Sequence, residues 1–385
     1  MGRKAQRNSS RSIVKIEHTS VYAPVRFEAT RPFALRLGRF IATRFTPDDA
    51  ARVKFLNDEL APTLLREIEA LGHQDGPGPW QAETSNLQTF AAFCHANRIV
   101  FDLHSTLSNA LLNTDIAEIP CIAFSMPYES VYVHFGSGSG LEDQGKEIEG
   151  AFITLYSFQS MRRLLVDLVP RDTFTFREFW IMRMGEQLIS VNIQLSDHMT
   201  MIEALHNSIA GTIKQNQEIM AAAEKAEHEI FETHGEIVKV PWRGERLAEY
   251  QPLLERALML VVNAMFYLAA VPEDSCEDWE ADTPSTLREL IDSPKLGAKR
   301  TGEATAETRG YIKVNYVGRK FALSQASASI DDQANGMKLS PHMRRGHFRH
   351  QRHGIGNLQI KLIFIAPVVV NAELGDLPGR IYDVD

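Results

Sequence analysis

The sequence predicts an α+β fold, with mixed, mainly antiparallel sheet segments and two long helices at about residues 199–234 and 250–271. Three observations carry that expectation. Short runs rich in β-forming residues lie on both sides of the helical stretches, and the helical stretches themselves are long and periodic. Strands and helices also lack the steady strand-helix-strand alternation of a doubly wound parallel sheet. With 385 residues and 44% hydrophobic content the chain can bury a large core, and its length suggests two or three lobes. The expected division is a basic, disordered arm over residues 1–18, an N-terminal α+β lobe over 19–198, and a part over 199–385. The last part combines a helical hairpin with a C-terminal β segment.

The elements follow in chain order. Met1 to Lys15 holds five basic residues with no apolar stretch behind them, so it reads as a solvated arm and not a secretory signal. Thr46-Pro47-Asp48-Asp49 places a capping hydroxyl, a first-turn proline and early carboxylates before a periodic run that ends at Leu71, ahead of Gly72. Gly76 to Pro79 reads as a breaker, and Leu87 to Asn97 as a second helix with Phe90, Phe93 and Cys94 on one side. Strands are expected at Ile99–Leu103, Cys121–Phe124, Val131–Phe135, Ala151–Tyr156, Phe176–Met182 and Gln187–Leu195. From Met199 to Thr233 the apolar spacing is helical, with Gly235 as a C′ residue. A short strand is expected at Ile237–Val240. Tyr250 to Val271 is then a second helix, so apolar in its latter half that it belongs in the centre. Its longest apolar run, Ala257 to Val271, is interrupted by Asn263 and too short for a bilayer span of about 20 residues. Glu273 to Asp282 carries six acids in ten residues and Asp292 to Arg309 is polar with glycines, so both read as exposed loop. The end returns to strands at Tyr311–Val317, around Phe321–Ser324, and at Ile360–Val370.

Cys94, Cys121 and Cys276 are odd in number and far apart, which suggests neither a disulfide framework nor a thiolate zinc site and points to a reducing, cytoplasmic compartment. Charge is the more informative quantity. The whole chain is −8, yet the forty residues from Gln333 to Ala372 hold six lysines and arginines and no acid, leaving −14 on the remaining 345. Within them His342 to His353 (HMRRGHFRHQRH) holds four histidines and four arginines. An acidic body thus carries one concentrated basic site.

That cluster admits several readings. It could be a solvated loop, or a clamp on the acids of Glu273 to Asp282. It could bind phosphate, RNA or an acidic peptide through His342, Arg344, Arg345, His347, Arg349, His350, Arg352 and His353, since planar guanidiniums make bidentate contacts to anions. In an extended strand Arg345, His347 and Arg349 would project to one face, and Arg344, Phe348, His350 and Arg352 to the other. A metal-independent ribonuclease would use two of the histidines as general acid and base. A zinc site on His347, His350 and His353 is disfavoured, because four arginines would repel a dication. No metal, no cofactor, no catalytic residue, no small-molecule substrate and no membrane partner is therefore expected.

Other motifs are weaker. Gly136 to Gly140 (GSGSG) lacks the Lys-Ser/Thr of a phosphate loop and runs into Glu142 and Asp143, so it reads as a hairpin connection. Ser196-Asp197-His198 cannot form a relay from consecutive residues and reads as a helix start. Asp102-Leu103-His104 reads as a satisfied turn, and Cys94 and His95 do not face each other. Tyr128 and Glu129, in the turn Pro127 to Ser130, are candidate peptide contacts.

Ser340 to Arg349 (SPHMRRGHFR), the strand Ile360 to Ile365 and the ending Ala366-Pro367-Val368-Val369-Val370-Asn371 together resemble the plasmid- and phage-borne anti-CRISPR family that blocks biosynthesis of the type V-A effector nuclease. Ile119-Pro120 to Phe135 is a second, softer similarity. The resemblance implies a bacterial cytoplasmic protein that binds the N-terminal polypeptide of the nuclease as it emerges and lowers its message during translation. The nascent effector chain, and the ribosome or mRNA, would be its partners. The basic arm and the segment Asp292 to Arg309 have no counterpart in that pattern.

Overall fold

The computed structural model describes residues 20–31, 78–136, 138–143, 145–158, 161–171, 173–174, 188–234, 247–331, 342–354 and 359–370, with isolated positions between 38 and 66. The expected arm and the strands Phe176–Met182 and Ile237–Val240 fall outside these residues, as do most positions of the expected helix Thr46–Leu71. The elements, in chain order, begin with helices α1 (Ala23–Thr30) and α2 (Gly78–His95), strand β1 (Val100–Leu103), helix α3 (Ser105–Leu112) and strand β2 (Thr114–Asp115). Strands β3 (Ser130–His134), β4 (Glu142–Asp143), β5 (Lys146–Phe158), β6 (Met161–Pro170) and β7 (Ile189–Leu195) follow. Next come the long helices α4 (Met201–His234) and α5 (Gln251–Ala270), strand β8 (Ser275–Trp279), and helices α6 (Ser285–Ile291) and α7 (Leu296–Arg309). Strand β9 (Lys313–Val317), helix α8 (Arg319–Asp331) and strands β10 (His342–Arg344), β11 (Gly346–His353), β12 (Gln359–Ile365) and β13 (Val368–Val370) complete the order.

The fold is α+β, built around one mixed sheet in the order β7-β6-β5-β3-β1-β9-β8. Pairing is antiparallel from β7 to β3, parallel across β3, β1 and β9, and antiparallel again at β8. Strands from both sides of residue 198 thus share one sheet. Its two faces are covered by different helices. Leu164, Val166, Leu168, Val191 and Ile193 pack with Leu205, Ile209 and Ile213 of α4 and with the apolar face of α5. On the opposite face Tyr132, Phe152, Val314 and Tyr316 meet Phe27 of α1 and Leu87, Phe90 and Phe93 of α2. Period-two alternation along β7, whose burial runs buried-exposed from Val191 to Leu195, is what assigns its apolar side to the helices.

Helix α4 starts with a capping box: Thr200 Oγ1 accepts from Glu203 N while Glu203 Oε2 accepts from Thr200 N, at 3.4 and 2.8 Å. The helix-start signal at Ser196-Asp197-His198 is thus a few residues early. Helix α5, with the 3₁₀ turn before it, is long and apolar enough to cross a membrane by composition, but 78% of its most apolar 18 residues are buried inside the fold. Helix α2 begins at Gly78, inside the expected breaker, with Pro79 in the first turn where its missing N–H costs nothing.

Four local expectations are corrected. Cys121–Ala123 is a 3₁₀ turn and not a strand, because Cys121 N bonds Met199 O and Ala123 N folds back onto Pro120 O. The acidic run Glu273–Asp282 is not a loop: it contains β8, and its buried acids have donors. Asp274 accepts from Tyr267 Oη at 2.6 Å and from the backbone N of Lys320 and Phe321; Glu280 accepts from Ser20 Oγ and Ile312 N; Asp278 pairs with Arg288. Residues 296–309 form α7, where Gly302 permits close approach, since a Cβ there would lie 2.9 Å from Ile291 N. The segment around Phe321–Ser324 is helical in α8, whose first turn is capped by the Asp274 carboxylate. Strand β6, which the sequence reading missed, pairs along its length with β5 and β7 and carries Asp167 inward, where Thr89 and Ser190 donate to it.

Candidate nucleic-acid interface

The His/Arg cluster is a β-ribbon. His342 pairs with Val370, Arg344 with Val368, His347 with Ile365 and His353 with Gln359. The register is the same throughout, so β10 and β11 form one continuous arm against β12 and β13. Only one point interrupts the ladder. Pro367 stands opposite Arg345 in that register and has no N–H to give, which breaks the expected strand Ile360–Val370 in two. At that gap the ribbon is tied sideways to the body: Gly346 N donates to Asn113 O at 3.0 Å, and β2 pairs in parallel with Gly346 and His347. Glycine is required there, because a Cβ would meet Thr114 Oγ1 at 2.7 Å and Pro367 Cδ at 2.8 Å.

The apolar helix α5 is the seat of the ribbon. Phe348 is 6% exposed and lies 5.6 Å from the Phe266 ring and 5.1 Å from Phe364, while Tyr267 meets Phe364 edge-on at 5.2 Å. One turn earlier, the buried Asn263 donates through Nδ2 to Leu111 O and Thr114 O, at 2.7 and 3.1 Å. The asparagine that interrupts the apolar run therefore ties α5 to the end of α3 and to β2, the strand that flanks the ribbon. Sequence alone marks Asn263 as an interruption; its partners are more than 140 residues away.

Beyond Phe348 the ribbon leaves the core. Arg344, Arg345, Arg349, His350, Arg352 and His353 are exposed and His347 is half-buried, whereas His342 enters only through its backbone pairing. Among the described residues no acid lies within ion-pair distance of Arg344, Arg345, Arg349 or Arg352, so the clamp on Glu273 to Asp282 is not formed. Alternation separates the histidines. His347 and His353 share one face with Arg349, and His350 shares the other with Phe348 and Arg352. His347 and His350 thus stand back to back, unable to flank one phosphate as acid and base. His347 and His353 share a face but are roughly 20 Å apart along the strand. The same geometry defeats a three-histidine zinc site, and among the described residues no three His, Cys, Asp or Glu side chains gather to hold a metal.

Tyr128 is 42% exposed, with its ring 6.3 Å from Phe101, and Glu129 is exposed while its carbonyl accepts from Leu155 N at 2.9 Å. No hydrogen bond, ion pair or ring contact among the described residues joins them to the ribbon. Gly136, Gly138 and Gly140 all have positive φ in the connection from β3 to β4, as expected for a turn.

A second polar cluster is less visible in sequence. At the carboxyl ends of the parallel strands, Asp102 is in register with His134 on one side and Tyr316 on the other. Tyr22 Oη donates to Asp102 at 2.8 Å, and the Tyr22 and His134 rings meet edge-on at 5.4 Å. Burial raises the Asp102 carboxyl to about 6, against the lowering effect of the Tyr22 hydrogen bond and of Arg319 and His104. Burial likewise drives the His134 imidazole down to about 4, helped by Arg26 and Arg171, and among the described residues its Nδ1 has no hydrogen-bond partner. His104 is taken up as a cap, with Nδ1 accepting from Thr106 N. The satisfied-turn reading thus holds for His104, while Asp102 belongs to a buried row assembled from three strands and the N-terminal segment.

The sequence model of the AcrVA2-like family, anti-CRISPR type V subtype A2, matches residues 101–372, from β1 through the ribbon. The chain belongs to the AcrVA2-like anti-CRISPR family. No curated protein matches it by sequence. A crystal structure of AcrVA2 aligns with 16% identity over 90% of this chain and 97% of that one, at a TM-score of 0.44. The family match over residues 101–372 leaves out α1 and α2, the helices that cover the face bearing Asp102.

Proposed function

We propose that this AcrVA2-like protein inhibits a type V CRISPR effector by binding the effector's nascent N-terminal peptide and lowering its mRNA during translation. The ribbon is its anion face, taking RNA through Arg344, Arg345, Arg349, Arg352 and the neighbouring histidines. The single observation behind that assignment is a row of exposed arginines with no acid against them among the described residues, on a chain whose net charge is −8. An unpaired guanidinium keeps its full capacity for a phosphate, whereas a paired one must first give up its carboxylate. Tyr128 and Ile122, which are 42% and 61% exposed on the same loop, are the proposed apolar contacts for the peptide, with Glu129 beside them. The protein acts in the bacterial cytoplasm as an inhibitor, without catalytic residues, metal or cofactor of its own.

The test is an in-vitro translation of effector message, with the message quantified over time with and without the protein. Loss of message only while ribosomes translate it, and only when the effector's N-terminal codons are present, supports the reading. Decay of naked RNA at the same rate overturns it. Ala at Arg344 and Arg349 is expected to abolish the effect.

A further inference from the structure

We infer that the ribbon recognises double-helical nucleic acid in preference to single strands, an inference that rests on the ribbon being a nucleic-acid face. Three features of the ribbon support it. First, its anion-binding groups are held on a fixed lattice. Arg345, Arg349 and His353 recur every four residues on one face, so they stand roughly 13 Å apart and span about 27 Å, most of a helical turn of about 34 Å. The lattice is rigid at its base because Phe348, Gly346 and the Asn263 bonds fix it to α5 and β2. Evenly spaced phosphates on a stiff duplex match such a row without having to be ordered first, whereas a single strand must lose chain entropy to do so.

Second, the large aromatic rings of the ribbon are turned away from solvent. The phenylalanines of the ribbon are Phe348 and Phe364, both packed against Phe266 or Tyr267, and residues 342–370 contain no tyrosine or tryptophan. Bases splayed from a single strand would find only imidazole and guanidinium planes, which are smaller stacking surfaces than an exposed Phe, Tyr or Trp ring. Third, both faces of the free half carry positive charge. Arg349 lies on one side and Arg352 on the other, with Lys361 on the paired strand and the imidazoles of His350 and His353 beside them, so the ribbon can contact the phosphates on both walls of a groove. A two-stranded ribbon fits the major groove of B-form DNA, about 12 Å wide; on A-form RNA, whose major groove is deep and narrow, it would lie across the phosphate ridges instead.

The test is fluorescence anisotropy with the full chain and labelled probes of about 20 base pairs, as duplex RNA, duplex DNA and the matching single strands, at several salt concentrations. Duplexes are expected to bind about tenfold more tightly than single strands. Replacing Arg349 and Arg352 with Ala is expected to flatten the salt slope by about 1 for each arginine removed. Equal or tighter binding of single strands overturns the duplex preference and leaves the ribbon as a nucleic-acid face. No binding of any probe overturns both. Both arginines are exposed and unpaired, so an unchanged melting temperature confirms that the variants fold. The arms with RNA and DNA duplexes separate groove insertion, which favours DNA, from contact along the phosphate ridges.

Discussion

Asp102 and His134 sit side by side on β1 and β3 and titrate in opposite senses, so removing either one exposes the other. The Asp102 carboxyl is raised from 3.8 to about 6, so the folded state holds its proton more tightly than the unfolded chain. That stability is complete below 3.8 and is lost as pH rises through 6. The His134 imidazole is lowered from 6.5 to about 4, so its contribution is complete above 6.5 and is lost as pH falls through 4. Each of these displacements corresponds to about 2 to 3 kcal/mol. In the native protein the two nearly cancel between pH 4 and 6.5. Asp102→Asn keeps an acceptor for Tyr22 Oη but removes one titration, and relative to the native protein it should lose about 2 to 3 kcal/mol on going from pH 7 to pH 4. His134→Gln should show the mirror image and gain relative stability over the same range. Urea unfolding followed by circular dichroism at half-unit pH steps measures both curves. A stability difference between Asp102→Asn and the native protein that stays constant from pH 4 to 7 would refute the burial argument for Asp102.

Further predictions concern the seat of the ribbon. Phe348→Ala empties a site bordered by Phe266 and Phe364 and should cost about 3 to 5 kcal/mol, read as a lower urea midpoint, with weaker RNA binding because the strand loses its anchor. Asn263→Leu strips the donor from Leu111 O and Thr114 O and should cost about 2 to 4 kcal/mol, although leucine suits the rest of the helix. Native-state hydrogen exchange should then accelerate at Gly346 N, which bonds Asn113 O between those two carbonyls. Gly346→Ala should destabilise by forcing Thr114 or Pro367 aside, and an unchanged melting temperature would show that β2 does not lock the ribbon.

Much of this architecture is legible locally. The periodic runs of α4 and α5 and the alternation of β7 state their elements directly, because each buries one face against a large apolar neighbour. The cluster His342 to His353 declares itself through charge alone. What misleads is polarity without partners in view. Glu273 to Asp282 looks like solvated loop until Tyr267, Arg288, Ser20 and the first turn of α8 supply donors to its acids. Gly302 looks like a loop residue until α6 packs against it. The row of Asp102, His134 and Tyr316 is invisible in one dimension because parallel pairing brings together residues from three distant segments. His347 and His350 look like a catalytic pair in the sequence; strand geometry puts them on opposite faces.

The exposed arginines of the ribbon are proposed to carry the inhibitory activity of this AcrVA2-like protein. This role is tested by plasmid interference in bacteria that express a type V-A effector together with either the native chain or a variant with Ala at Arg344, Arg345, Arg349 and Arg352. The native chain should protect the target plasmid, and the variant, accumulating to the same level and melting at the same temperature, should leave interference intact. Full protection by that variant would contradict the account.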